Sequence, residues 1–181
     1  MSSTELRNLY LKILGVDPGN LEANEGMARI LLDEGHPEAA ISYIEKSISG
    51  GTSDRRLQIH AAYYFAKGYD FRRAGDILVN INLSPDNTEE KKLLFETLSI
   101  LAGGAYKEDK LEKSFEYSRR AMSIPGMKSG ELENIMVDSA IKLADKEYKN
   151  SNLKAAHRTI ITALHLLPGN ANLLEWKSYF E

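Results

Sequence analysis

The feature that most constrains this chain is a recurrence of small residues at helical spacing. Ala40, Ala74, Ser114 and Ala156 occupy the same place in similar runs, such as Pro37-Glu38-Ala39-Ala40-Ile41 and Asn152-Leu153-Lys154-Ala155-Ala156. The first two lie 34 residues apart and the following intervals are 40 and 42, so the later units carry insertions. Four residues on stand Ile44, Leu78, Ser118 and Ile160, and three further on Ser47, Ile81, Ala121 and Ala163. That spacing marks one face of a helix. Upstream, a longer helix carries Met27-Ala28 then Leu31, Ala61-Ala62 then Phe65, Leu101-Ala102 then Ala105, and Leu143-Ala144 then Glu147. Small residues at these places let the two helices of a hairpin approach closely. Such hairpins cannot bury their apolar stripes alone and stack to do so.

Turn residues punctuate the pattern at Asp17-Pro18-Gly19-Asn20, Gly50-Gly51-Thr52-Ser53, Ser84-Pro85-Asp86-Asn87, Pro125-Gly126 and Pro168-Gly169-Asn170. Together these signals predict an all-α chain of ten helices, over about 3–14, 21–34, 37–49, 54–68, 70–82, 88–107, 109–123, 130–149, 152–166 and 171–180. The expected organisation is one solenoid domain over 1–181, with a half unit at 3–18, units at about 21–50, 54–84, 88–125 and 130–168, and a terminal helix at 171–180.

These residues resemble the tetratricopeptide repeat family, a helix-turn-helix of 34 residues. The resemblance extends over nearly the whole chain and is strongest from Asn152 to Asn170, followed by Met27 to Ser47. The signature Trp of each first helix is replaced by Asn24, Gln58, Leu98 and Ala140, and Glu147 stands where an aromatic is usual. Leu6, Tyr10, Ile13 and Pro18 match a second helix without its first, and 171–181 a first helix without its second. The resemblance implies a right-handed α-solenoid of antiparallel hairpins whose first helices line a peptide-binding groove. Carried over residue by residue, that groove includes Arg29, Arg56, Ile59, Tyr63, Lys67, Tyr106, Lys107, Ile141, Tyr148 and Lys149. Exposed tyrosines suit peptide recognition because a ring adds contact area at low entropic cost and the phenol adds a hydrogen bond. The alternative is that Tyr63, Tyr106 and Tyr148 fill the contacts between hairpins. Where chaperone-binding members of the family hold a terminal carboxylate, this chain has Glu25, Arg29, His60, Glu96 and Ile100, which disfavours chaperone tails.

Composition narrows function rather than fold. The 181 residues include 43% apolar and 27% charged, enough for a packed core, and no cysteine, which removes disulfides, zinc fingers and thiol nucleophiles. With 23 basic against 26 acidic residues the net charge is -3, so a nucleic-acid partner is not expected. No stretch reads as a membrane span and Met1 to Arg7 does not read as a signal peptide, so a cytoplasmic location without membrane insertion is expected. Catalytic signals are also weak. His36, His60, His157 and His165 are scattered, no HExxH or Gly-x-Ser-x-Gly motif occurs, and Gly103-Gly104 reads as a close helix contact or a bend rather than a phosphate loop. Asn82-Leu83-Ser84 matches the glycosylation triplet by chance. No cofactor, metal or enzymatic activity is expected. The reading is a protein-interaction scaffold that binds a peptide segment of another protein, with self-assembly through the helical ends as the alternative, or a regulatory fragment of a longer protein. For self-assembly the candidate surface is Leu173, Leu174, Trp176, Tyr179 and Phe180; this helix either folds back on the preceding hairpin or continues into another chain.

Overall fold

The computed structural model describes residues 1–79, 81 and 87–180. Among these residues the chain is helical throughout, in two compact units, Met1–Asn82 and Leu83–Glu181. The first unit holds α1 (Ser3–Val16), α2 (Leu21–Asp33), α3 (Pro37–Ser49), α4 (Arg55–Lys67) and α5 (Phe71–Leu78). The second holds α6 (Thr88–Lys107), α7 (Leu111–Met122), α8 (Gly130–Lys149), α9 (Leu153–Leu166) and α10 (Ala171–Phe180). The expected boundaries agree within three residues except for α5, which ends at Leu78. The expected end of that helix at 82, the turn residues Ser84, Pro85 and Asp86, and the triplet Asn82-Leu83-Ser84 lie outside the described residues.

The sequence repeat is also a backbone repeat. Between the two helices of each hairpin one residue adopts the left-handed conformation: Gly35 (φ 76°), Tyr69 (φ 63°), Asp109 (φ 54°) and Ser151 (φ 61°). The residue after each donates its N–H back to the preceding helix: His36 to the Leu31 carbonyl at 2.8 Å, Asp70 to Phe65 at 2.8 Å, Lys110 to Ala105 at 2.9 Å and Asn152 to Glu147 at 2.8 Å. This closure satisfies helix-end carbonyls and reverses the chain. Only the first site uses glycine, the residue that adopts this conformation most easily. Ser151→Gly is therefore expected to stabilise the protein by about 0.5–1 kcal/mol, read as a rise in urea midpoint at unchanged slope.

Side-chain caps start most of the helices. Asn20, Asp54, Asp70, Asn87, Ser129 and Asn152 each accept a backbone N–H of the following first turn. Ser2 and Glu5 form a reciprocal capping box on α1.

Within the first unit α2 packs on α1, α3 and α4, and α4 on α3 and α5. Within the second, α6–α7–α8–α9–α10 pack in succession, with α6 on α8, α7 on α9 and α8 on α10 as well. Each helix thus touches its hairpin partner, and several also touch the helix two places on, as in a stack of hairpins. The recurring small residues Ala40, Ala74, Ser114 and Ala156 are completely buried, as are Ala28, Ala62, Ala102 and Ala144 on the preceding helices, and the Ser114 hydroxyl donates to the Ala102 carbonyl at 3.1 Å. The residues four and seven further on are buried without exception among the eight named above. Fully burying one such Leu or Ile contributes about 1.5–3 kcal/mol.

Two departures from the family pattern acquire a physical explanation here. Asn24 is wholly buried, and its amide donates to the carbonyls of Pro18 (3.1 Å) and Asn20 (2.8 Å), tying the α1–α2 turn to α2. Glu147 does not join the core; it accepts from the Asn152 amide at 2.8 Å across the hairpin turn.

Candidate peptide-binding faces

The first helices of the hairpins are α2 and α4 in the first unit and α6, α8 and α10 in the second. On α2 and α4 the two candidate arginines are tied into ion pairs. Arg29 lies 2.8 Å from Glu25 and 2.6 Å from Asp54, and the Thr52 hydroxyl donates to Glu25. Arg56 lies 2.6 Å from Asp33. Tyr63 is half-buried, its ring edge-on to Tyr64 at 5.7 Å with the Lys67 ammonium 5.9 Å from its centroid. Burial pushes the Tyr64 phenol up to about 12, with Glu38 and Tyr63 adding to the shift. Ile59 corrects the sequence expectation for its own position: it is fully buried and offers no surface to a ligand. α4 is buried on more than one face, with Leu57, Ile59, Ala61, Ala62, Phe65 and Ala66 all buried.

On α6 and α8 the tyrosines engage neighbouring elements. Tyr106 donates its phenol to the Asp138 carboxylate and accepts from Lys142 at 2.9 Å. The Lys142 ammonium also lies 2.8 Å from Asp138 and 4.7 Å from the Tyr106 ring centroid. Burial works against the Asp138 charge, but the hydrogen bonds from Lys142 and Tyr106 outweigh it and hold its pKa below the usual carboxylate range. A depressed folded-state pKa stabilises the fold above the unfolded-state value, and this contribution is lost as pH falls through the folded-state value. Carbon-13 titration of the Asp138 carboxyl is expected to show a midpoint below that of a free aspartate, rising toward the ordinary value in Tyr106→Phe.

Tyr148 is 39% exposed. Its ring meets Tyr179 of α10 edge-on at 5.3 Å and Phe180 at 6.1 Å, and its phenol oxygen accepts a hydrogen bond from the Tyr179 hydroxyl at 3.0 Å. Lys149 pairs with Asp145 at 2.6 Å, Lys107 and Lys67 are exposed, and Ile141 is half-buried against the core of α8 and α9. Lys142 was missed by the sequence reading, although its position one helical turn after Asp138 was the available signal.

The terminal helix folds back. Leu173 is completely buried, and Trp176 and Phe180 pack on the core formed by α8 and α9. Leu174 and Tyr179 remain exposed, at 46% and 62%. Near the start of α8 a cleft of about 210 Å³ opens between Ser99, Ile100 and Gly103 of α6 and Glu131, Leu132 and Ile135 of α8. Gly103 is not a close helix contact: α6 runs through it unbroken, and an added Cβ would find only Ile135 Cδ1, at 3.9 Å.

Among the described residues no group of three or more His, Asp or Glu could hold a metal ion, and no helix is long and apolar enough to cross a membrane.

No family model matches the chain, and no curated protein does. Among solved structures it is similar to the TPR domain of P58(IPK), at 14% identity over 96% of this chain and 58% of that one, with a TM-score of 0.36. It is also similar to a chain of the APC/C hetero-tetramer Cut9–Hcn1, at 15% identity over 99% of this chain and 33% of that one, with a TM-score of 0.33. The chain spans under two thirds of the length of either. Its helix order, its left-handed hairpin closures and its buried small residues make it an all-α chain of successive helix hairpins.

Proposed function

We propose that this chain is a non-enzymatic interaction module whose first-helix faces bind a peptide segment of a partner protein. The observation that carries this reading is the surface of the second unit, where Tyr106 and Tyr148 stand on adjacent first helices with Lys107 and Lys149 beside them. Aromatic and basic groups held on rigid helices lose little conformational entropy on binding. Part of that pre-organisation is already in place, because Asp138 and Lys142 fix the Tyr106 phenol and Tyr179 fixes that of Tyr148. In the first unit Arg29, Arg56, Tyr63 and Lys67 provide a comparable face, with both arginines held by carboxylates.

The test is quantitative affinity capture from the native extract with the wild-type chain, Lys107→Glu/Lys149→Glu and Lys67→Glu, each checked for helicity. The expected result is one or more proteins retained by the wild type and reduced about tenfold by the double substitution. Equal recovery by all three chains contradicts the reading. The exposed Leu174 and Tyr179 favour self-association through α10 as a second reading. It predicts a mass above that of the monomer in light scattering, reduced by Leu174→Lys/Tyr179→Lys.

A further inference from the structure

Gly103 lies in the interior of α6, where glycine weakens a helix relative to alanine. The fold does not require it, since its backbone is helical and a Cβ would make only an ordinary contact with Ile135 Cδ1 at 3.9 Å. Gly103 lines the cleft between α6 and α8, which a side chain larger than a methyl at this position would enter. At about 210 Å³ this cleft is smaller than the few hundred Å³ typical of small-molecule sites, and it suits a single side chain. Ile100, Leu132 and Ile135 make much of its lining apolar. The charged residue that lines it is Glu131, which is exposed and makes no ion pair among the described residues. Of the other carboxylates of α8, Asp138 and Asp145 have lysine partners at 2.8 and 2.6 Å, Glu147 accepts from the Asn152 amide, and Glu133, like Glu131, makes no ion pair among the described residues but does not line the cleft. An apolar recess edged by a carboxylate of the first turn of α8 that has no cationic side-chain partner complements an aliphatic side chain with a cationic neighbour.

We propose that this cleft is a socket for one aliphatic side chain of a bound peptide, with a lysine or arginine next to it in the ligand meeting Glu131. The proposal rests on the peptide-binding reading above and specifies the segment that the second unit would accept.

The test uses the full chain with methyl-labelled Ile and Leu and three capped dipeptide amides at millimolar concentration: acetyl-Leu-Arg, acetyl-Leu-Glu and acetyl-Ala-Arg. Leu-Arg is expected to shift the Ile100 and Ile135 methyl signals. It should bind about tenfold more tightly than Ala-Arg, from the lost aliphatic contact, and about two- to fivefold more tightly than Leu-Glu, from the exposed charge pair. Gly103→Leu, which fills the cleft, should abolish the shifts. Gly103→Ala should raise the melting temperature by about 2 °C, the signature of a glycine retained at a cost to the helix. No shift with Leu-Arg, shifts that persist in Gly103→Leu, or equal affinity for Leu-Arg and Leu-Glu would each overturn the proposal. Partner capture separates the two claims: if Lys107→Glu/Lys149→Glu loses the partner while Gly103→Leu retains it, the face stands and the socket fails.

Discussion

Leu173→Asp is expected to release α10 from the second unit. Leu173 is the one fully buried residue of that ten-residue helix, set in the same core as Met136, Ala140, Ile160 and Ala163. Replacing it removes a buried aliphatic side chain, worth about 2–5 kcal/mol by truncation alone, and asks a carboxylate to enter an apolar site. A helix of ten residues has little stability by itself, so the helix undocks rather than burying the charge. Trp176 is the only tryptophan of the chain and packs on the α8–α9 core through α10. Undocking therefore has a direct signal: its emission moves to longer wavelength and becomes accessible to iodide. Release also removes Tyr179 and Phe180 from Tyr148, changing the face proposed to bind peptide. Unchanged emission in Leu173→Asp would mean that Leu173 does not hold the helix.

Gly26→Ala is expected to detach α1. Gly26 is buried on α2, and a Cβ there would overlap the Tyr10 ring, meeting its Cε2, Cζ and Cδ2 atoms. α1 has no fully buried residue and is held largely by half-buried Leu6, Tyr10, Ile13 and Leu14 and by the Arg7–Glu34 ion pair. Displacing the ring costs about 1–3 kcal/mol, a large share of what so shallow a contact supplies. Amide exchange in α1 should accelerate while that in α3 is retained. In a Tyr10→Ala background the added methyl has room, so the Gly26→Ala penalty should vanish, with a coupling energy of about 1–3 kcal/mol in the double-mutant cycle. Additive effects would contradict the contact.

The helical architecture was legible because one physical requirement, close approach of paired helices, is written as small residues at fixed offsets. The complete burial of Ala28, Ala40, Ala144 and Ala156 follows from that spacing without coordinates. The left-handed turn residues were less legible. Tyr69, Asp109 and Ser151 adopt the conformation that Gly35 marks openly, since stacking of the hairpins outweighs the local preference of each residue. Gly26 was silent, because its reason is a ring sixteen positions away on another helix.

The faces proposed to bind peptide were legible by position and not by state. Helical register located Arg29, Arg56, Tyr106 and Tyr148. It did not pair them with Asp54, Asp33, Asp138 and Tyr179, the partners that each finds on another element. Ile59 shows the same limit: register placed it at a groove position, while α4 is buried on more than one face and Ile59 with it. Sequence spacing fixes which residues share a helix face, and polar groups on separate helices are brought together only by packing.

The central claim, that first-helix faces grip a partner, is tested most directly by site-specific photo-crosslinking in the native cell. A benzophenone amino acid is placed at Lys107 or Lys149 on the first helices α6 and α8, or at Lys113 or Lys154 on the second helices α7 and α9; all four positions are exposed. The account predicts that positions 107 and 149 capture the same partner peptide and that 113 and 154 do not. Crosslinks confined to 113 and 154 would contradict it.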